Sequence, residues 1–158
     1  MMLAGRDYLD DVGLAGADAL ADIHRGAFAR TWSGEEFAAL LSDPAVFAVG
    51  ARRRSLFGVR LAGFVLVRMA ADEAEVLTLA VRPGSRRRGY GRWLMEEALR
   101  RLYRERVAAC FLEVDRDNRA AVSLYRSLGF AVAGERKRYY DDPQSGDGTA
   151  LVMRVQLR

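Results

Sequence analysis

The chain alternates between a two-residue and a 3.6-residue hydrophobic period. Residues 76–81 (Val-Leu-Thr-Leu-Ala-Val) and 110–114 (Cys-Phe-Leu-Glu-Val) are short, nearly continuous apolar runs, the pattern of strands covered on both faces. Each run is followed by a helical stripe, first Leu94, Met95, Ala98 and Leu102, then Ala121, Leu124, Tyr125 and Leu128. Ahead of them, residues 46–51 and 61–69 read as strands of an antiparallel meander, with a basic segment at 52–55 between them. Leu20, Ile23, Ala27 and Phe28 mark a first helix, and Ser33 with Glu36 has the Ser-x-x-Glu spacing of a capping box opening a second through Phe37, Leu40 and Leu41. Residues 132–139 and 149–157 close the chain as an antiparallel pair. With a leading strand, the order β-α-α-β-β-β-α-β-α-β-β predicts a mixed α/β fold, and the 158 residues suffice for one domain with its own core.

The element ends carry the chemistry. Pro83 stops the strand at 76–81, and a glycine- and arginine-rich turn, Arg86-Arg87-Arg88-Gly89-Tyr90-Gly91, leads into the helix. Free N–H groups at a helix start and the positive end of its dipole attract anions, and glycine lets phosphates approach the backbone closely. The turn predicts a diphosphate site. No Gly-Lys-Ser/Thr follows, so it is not a P-loop, and it lacks the spaced glycines of the dinucleotide fingerprint. Later, Asp117 or Asn118 caps the helix that carries Tyr125, and Gly129 stands where a left-handed C-terminal cap belongs.

Composition changes this picture little. The net charge is +4, and all but one of the 25 basic side chains are arginine, which is weak ground for nucleic-acid binding. There is no signal-like N-terminal segment and no apolar run of roughly 20 residues, so a cytoplasmic location without membrane partners is expected. The lone cysteine, Cys110, lies inside an apolar strand and is expected in the core. The single histidine, His24, is expected at the surface or boundary of the first helix.

Two strings in combination resemble the GNAT family of N-acetyltransferases: Ala-Val-x-Pro followed by Arg-Arg-x-Gly-x-Gly, and Leu-Glu-Val followed by Asn-x-x-Ala and Leu-Tyr-x-x-Leu-Gly-Phe. With Thr31-Trp32-Ser33 and Arg138-Tyr139-Tyr140 they are most similar to the bacterial ribosomal-protein-alanine N-acetyltransferases, over about residues 15–155. The segment 52–58 is longer and more basic than that resemblance leads one to expect, and the loop 141–148 is distinctive. The resemblance implies a mixed central sheet with splayed middle strands flanked by helices. It implies acetyl-CoA as co-substrate, no metal, and a protein N-terminus, such as that of a ribosomal protein, as acceptor.

Acetyl transfer to an amine needs a neutral amine, a stabilised oxyanion and a protonated leaving thiolate. An α-amine titrates near ~8, so one proton acceptor suffices. Glu113, ending an apolar strand, is the candidate, and the alternative is a strand-end carboxylate paired with an arginine. Tyr125 lies on an apolar stripe and by pattern is a core aromatic, whereas the resemblance makes its hydroxyl the general acid. Leu79, Ala80 and Val81 would offer backbone groups to the acetyl-pantetheine arm, with a bulge freeing an N–H for the oxyanion. The diphosphate would lie on Arg86, Arg87, Arg88, Gly89, Tyr90 and Gly91, and Asn118 caps its helix while touching the cofactor. Trp32, Tyr139 and Tyr140 either pack or line the peptide groove, to which the nearby acidic loop (Asp141, Asp142, Asp147) would draw a basic tail. The same core would also serve a small amine or a lysine side chain. A non-catalytic acetyl-CoA-binding module is the third reading, against which stands the presence of both Glu113 and Tyr125.

Overall fold

The computed structural model describes residues 6–28, 30–137 and 148–158. The elements follow the expected order: β1 (Tyr8–Asp11), α1 (Ala17–Ala27), α2 (Gly34–Leu41), β2 (Val46–Ser55), β3 (Gly58–Ala70), β4 (Glu73–Val81), α3 (Tyr90–Arg104), β5 (Ala109–Asp115), α4 (Arg119–Ser127), β6 (Ala131–Lys137) and β7 (Thr149–Gln156). The strands form one mixed seven-stranded sheet in the order β1-β2-β3-β4-β5-β7-β6. All neighbours are antiparallel except β4 and β5, which run parallel because α3 crosses between them.

Each face of the sheet buries its own core. On one face α3 and α4 contribute Leu94, Met95, Ala98, Leu102 and Tyr125 against Val65, Val67, Cys110, Leu112 and Met153. On the other, α1 and α2 contribute Leu20, Ile23 and Phe37 against Phe64, Leu66 and Ala80. Cys110 is fully buried, and burial pushes its thiol up to about 12, so it is an inert apolar side chain at neutral pH. No helix among the described residues is long and apolar enough to cross a membrane.

The basic segment 52–55 is not a loop. β2 runs on through it, with Arg52 opposite Leu61, Arg53 opposite Arg60 and Ser55 opposite Gly58, so the connection shrinks to Leu56 and Phe57 at a fully exposed tip. The periodicity broke at three consecutive arginines, but each has a partner outside the hairpin. Arg52 Nε donates to Asp10 at 3.0 Å, the Arg54 guanidinium lies over the Tyr8 ring, and Arg53 reaches Ser85 Oγ at 3.2 Å. Position 81 likewise ends β4 where expected, and the closing strand β6 is seen from Ala131 to Lys137.

His24 departs from expectation too, being only 3% exposed. Its ring stacks between Phe28 and Trp32, with Phe37 edge-on, and its Nδ1 accepts the Trp32 backbone N–H at 3.2 Å. This acceptor holds the connection between α1 and α2, and Ser33 Oγ, accepting from the Glu36 N–H, then starts α2. Burial holds His24 below its ordinary 6.5, so as pH falls the unfolded chain binds a proton first. The neutral ring's contribution is therefore complete above about 6.5 and is lost as pH falls through the lower folded value. The thermal midpoint should fall more steeply between pH 7 and 5 in the wild type than in His24→Asn, whose amide oxygen can accept the same N–H without titrating. Identical slopes by calorimetry would show that His24 does not govern the transition.

Candidate functional site

The sheet opens between β4 and β5. Their parallel pairing runs only from Glu73 opposite Ala109 to Val76 opposite Leu112. Beyond that, residues 77–81 of β4 have no strand among the described residues beside them on the β5 side, although 78–81 remain paired to β3. One extra residue marks the parting: Val67 pairs with Val76 and Leu66 with Thr78, which leaves Leu77 as a bulge. The bulge reverses the alternation of side chains. Ala74 and Val76 face α3, and after Leu77 it is Leu79 and Val81 that pack on that core, while Ala80 joins the other. The bulge expected near residues 79–81 thus sits a little earlier, at the point where the strands separate.

The phosphate-type turn stands at the far end of this opening. Pro83–Ser85 forms a single 3-10 turn, and Arg87 and Gly89 both adopt left-handed backbone (φ 63° and 85°), which turns the chain into α3 with Gly89 as its N-cap. Gly89 makes no side-chain cap, so the first N–H groups of α3 are left for another acceptor. A Cβ on Gly91 would lie 3.5 Å from Leu124 Cδ2 and 3.9 Å from Leu79 Cδ2. The bare α-carbon therefore faces Leu124 of α4 and Leu79 of β4 at ordinary contact distance, and the uncapped N–H groups of the first turn of α3 fit a diphosphate at that helix start. Three ties fix the turn: Arg53 on Ser85, Arg82 Nε on the Leu61 carbonyl at 2.7 Å, and Arg82 on Asp22 of α1 at 3.0 Å. The Arg82 guanidinium holds the Asp22 carboxyl below its usual range.

The predicted cofactor residues do not all turn toward the opening. Arg86 Nε donates to the Val81 carbonyl at 3.3 Å, folding back along the strand end. Tyr90 is 5% exposed and donates its hydroxyl to Asp7; burial, reinforced by that bond, pushes its phenol up to about 12. Only its backbone remains for a ligand. Asn118 Oδ1 accepts from the Ala121 N–H at 3.2 Å, which makes it the cap of α4.

Tyr125 and Glu113 lie on opposite faces of the sheet. Tyr125 packs in the α3/α4 core, its ring 5.9 Å from that of Phe130, and burial pushes its phenol up to about 12. It therefore carries its proton at neutral pH. Glu113 alternates with the buried Leu112 and Val114 and so belongs to the α1/α2 face, one residue past the last β4–β5 pair. Arg136 of β6 lies against it, with Nε 3.2 Å from Oε1. The arginine-paired reading of Glu113 is thus what the register shows, two residues before the end of β5. With Arg136 67% exposed, that pair contributes about 1 kcal/mol or less, so it orients the carboxylate without locking it.

Sequence reasoning passed over two residues here. Arg136 had no signal, because a partner two strands away in the sheet is visible only in the strand order and register. Thr78 had one, being the sole polar interruption of the run 76–81. It is 8% exposed, and its Oγ1 has no hydrogen-bond partner among the described residues. Trp32 packs on His24 and Phe37 at the edge of the α1/α2 core. Tyr139 and Tyr140 lie outside the described residues. Among the described residues no group of three or more His, Cys, Asp or Glu side chains is arranged to hold a metal ion.

The chain has recognisable relatives. It is 39% identical over 98 residues to a [ribosomal protein bS18]-alanine N-acetyltransferase of Salmonella typhimurium, a match spanning 62% of this chain and 66%, just under two thirds, of that protein. It is 40% identical over 113 residues to N-alpha-acetyltransferase RimI of Mycobacterium tuberculosis, covering 69% of this chain and 67% of the relative. The crystal structure of the ribosomal-protein-S18-alanine N-acetyltransferase from Escherichia coli superposes with a TM-score of 0.87 at 29% identity, covering 96% of this chain and 94% of that one. Arabidopsis thaliana NAA60 in complex with acetyl-CoA shares the fold at a TM-score of 0.81 and 18% identity, covering 96% and 98%. The acetyltransferase (GNAT) family itself matches residues 17–130. With the parted strands, the glycine turn and the Asn-capped α4 in the places where that family's two motifs were read, the chain belongs to the acetyltransferase (GNAT) family.

Proposed function

We propose that this protein is an acetyl-CoA-dependent N-acetyltransferase that acts by direct attack of a primary amine, the acceptor being the N-terminal α-amine of a protein such as a ribosomal protein. The observation that supports this reading is the opening between β4 and β5 beside the glycine turn, with Tyr125 in the core on one face of the sheet and Glu113 on the other. Acetyl-CoA supplies the reactive thioester when bound. The first N–H groups of α3, with Arg87 and Arg88 of the turn, hold its diphosphate, and the edge of β4 at Leu79, Ala80 and Val81 that faces away from β3 offers backbone groups to its arm. Tyr125, still protonated at neutral pH, gives its proton to the departing thiolate. Glu113, on the other face, receives the proton the amine sheds, directly or through water.

The relatives named for ribosomal-protein alanine acetylation support a protein N-terminus as acceptor, and through it a cytoplasmic site of action. Trp32 beside α2, with Tyr139 and Tyr140, would bound the groove for the first residues of that peptide. Purified protein given acetyl-CoA and a panel of peptides and free amines should release thiol fastest with peptides beginning in alanine or serine, acetylated at the α-amine. Mass spectrometry placing the acetyl group on lysine side chains, or a small amine outcompeting every peptide, would overturn the acceptor and leave acetyl transfer standing. No release with any amine would instead favour a binding module.

Gly91→Val puts a branched side chain into the gap between Leu79 and Leu124. Because valine is no worse than glycine inside a helix, the fold should survive. Affinity for acetyl-CoA by calorimetry should drop at least tenfold, or about 1.4 kcal/mol, and unchanged affinity would place the diphosphate elsewhere.

Glu113→Gln and Tyr125→Phe should both keep acetyl-CoA affinity and lose turnover, by roughly 10² to 10⁴ for a lost general acid or base. For Glu113→Gln the deficit should shrink as pH rises past ~8, where the α-amine is already neutral. A deficit independent of pH in steady-state kinetics would mean that Glu113 orients the acceptor and takes no proton.

A further inference from the structure

Thr78 is a buried polar side chain beside the opening whose chemistry the reaction as described does not use. It follows the Leu77 bulge directly, and it pairs across β3 with Leu66, so its side chain points to the α1/α2 face among Leu66, Phe64 and Ala80. Those neighbours are apolar, and Oγ1 meets no hydrogen-bonding group among the described residues. Glu113 points to the same face from the first position of β5 no longer paired to β4. The two side chains therefore flank the fork, one on each strand, at the depth where pairing stops.

A buried hydroxyl without a partner destabilises the fold, and valine has the same shape without that penalty. A threonine retained in an apolar wall makes chemical sense when a polar group arrives from outside. The side of the sheet decides which group. The α3 N-terminus, Gly91 and Tyr125 serve the α3/α4 face, where acetyl-CoA is read, whereas Thr78 and Glu113 lie on the other. No inter-strand hydrogen bond crosses the gap at this level, so a slight widening that admits a small group breaks no ladder bond.

The geometry points to Thr78 as an acceptor-binding residue whose Oγ1 accepts one N–H of the attacking primary amine. The inference rests on the acetyl-transfer reading and specifies how that site holds its acceptor. A neutral primary amine has two N–H groups and one lone pair. With one N–H on Thr78 and the other toward Glu113, the lone pair is left to the thioester carbon. As the N–C bond forms and the C–S bond breaks, the Glu113 side takes the amine's proton and Tyr125 protonates the sulfur, so Thr78 gains and loses nothing. Its contribution is orientation.

Thr78→Val and Thr78→Ser test this. Thr78→Val should melt at or above the wild-type temperature and bind acetyl-CoA within twofold of wild type. Its kcat/KM for an alanine-initiated peptide should fall about tenfold or more, as for a substrate hydrogen bond removed. Thr78→Ser, which keeps the hydroxyl, should stay within about threefold of wild type. Calorimetric binding of the same peptide to the protein saturated with coenzyme A gives a readout independent of turnover and should weaken in parallel for Thr78→Val alone. Peptide binding and kcat/KM unchanged in Thr78→Val would overturn the inference, as would a loss matched by serine or accompanied by an equal loss of acetyl-CoA affinity. A wild type that binds the peptide through Thr78 yet turns nothing over would refute the transfer reading and leave the amine contact standing. Failure to bind any peptide or amine would refute both.

Discussion

One extra residue in β4, Leu77, sets both where the sheet opens and which side chains face the opening. A strand alternates its faces with period two, so an inserted residue exchanges them for everything that follows. Without it, Thr78 and Ala80 would continue the α3-facing set of Ala74 and Val76, and Leu79 and Val81 would turn away from that core. With it, two large apolar side chains remain beneath α3 while the strand diverges from β5. The bulge keeps the core continuous through the region where the sheet itself is interrupted.

The opening leaves part of the β4 edge without a neighbouring strand, and unpaired backbone groups in a protein interior cost about 1–3 kcal/mol each. The cost is carried by two large cores and by anchors that hold the strand end rigid from both faces. Arg82 joins the turn to α1 and β3, Arg53 joins it to the β2–β3 hairpin, and Tyr90 pins the first turn of α3 to Asp7. These ties explain the unusually basic segment 52–55, whose arginines brace the region around the turn by contacts to Asp10, Tyr8 and Ser85. They also show why a high arginine content is poor evidence for nucleic-acid binding here, since much of it is engaged internally.

What was legible in the sequence was whatever short-range pattern encodes. The strands at 76–81 and 110–114, the caps at Ser33 and Asn118, the left-handed Gly129, and the core position of Cys110 follow from local periodicity and turn chemistry. What was not legible depends on register between distant strands. Residues 52–55 look like a loop until β1 is laid beside β2 and supplies Asp10 and Tyr8. His24 looks like a boundary residue because a helix with one histidine gives no hint that the next connection folds back to stack Trp32 on it. The Glu113–Arg136 pair requires β7 to come between β5 and β6, a crossover that no local pattern announces.

The same distinction separates the chemistry from the acceptor. The groups that handle the thioester and its diphosphate belong to two contiguous strand–turn–helix units, β4 to α3 and β5 to α4, so one stretch of sequence specifies each part and its position. The residues proposed to meet the amine come from separate places: Trp32 after α1, Thr78 past a bulge, and Glu113 on β5 with Arg136 of β6 beside it. Their arrangement is a product of the whole sheet, and a change in register or in a connecting loop would alter it without touching the cofactor units. A fold built this way can keep one acyl donor while its acceptors diverge, and that is why the family is evident from two short strings while the choice of amine has to be read from tertiary structure.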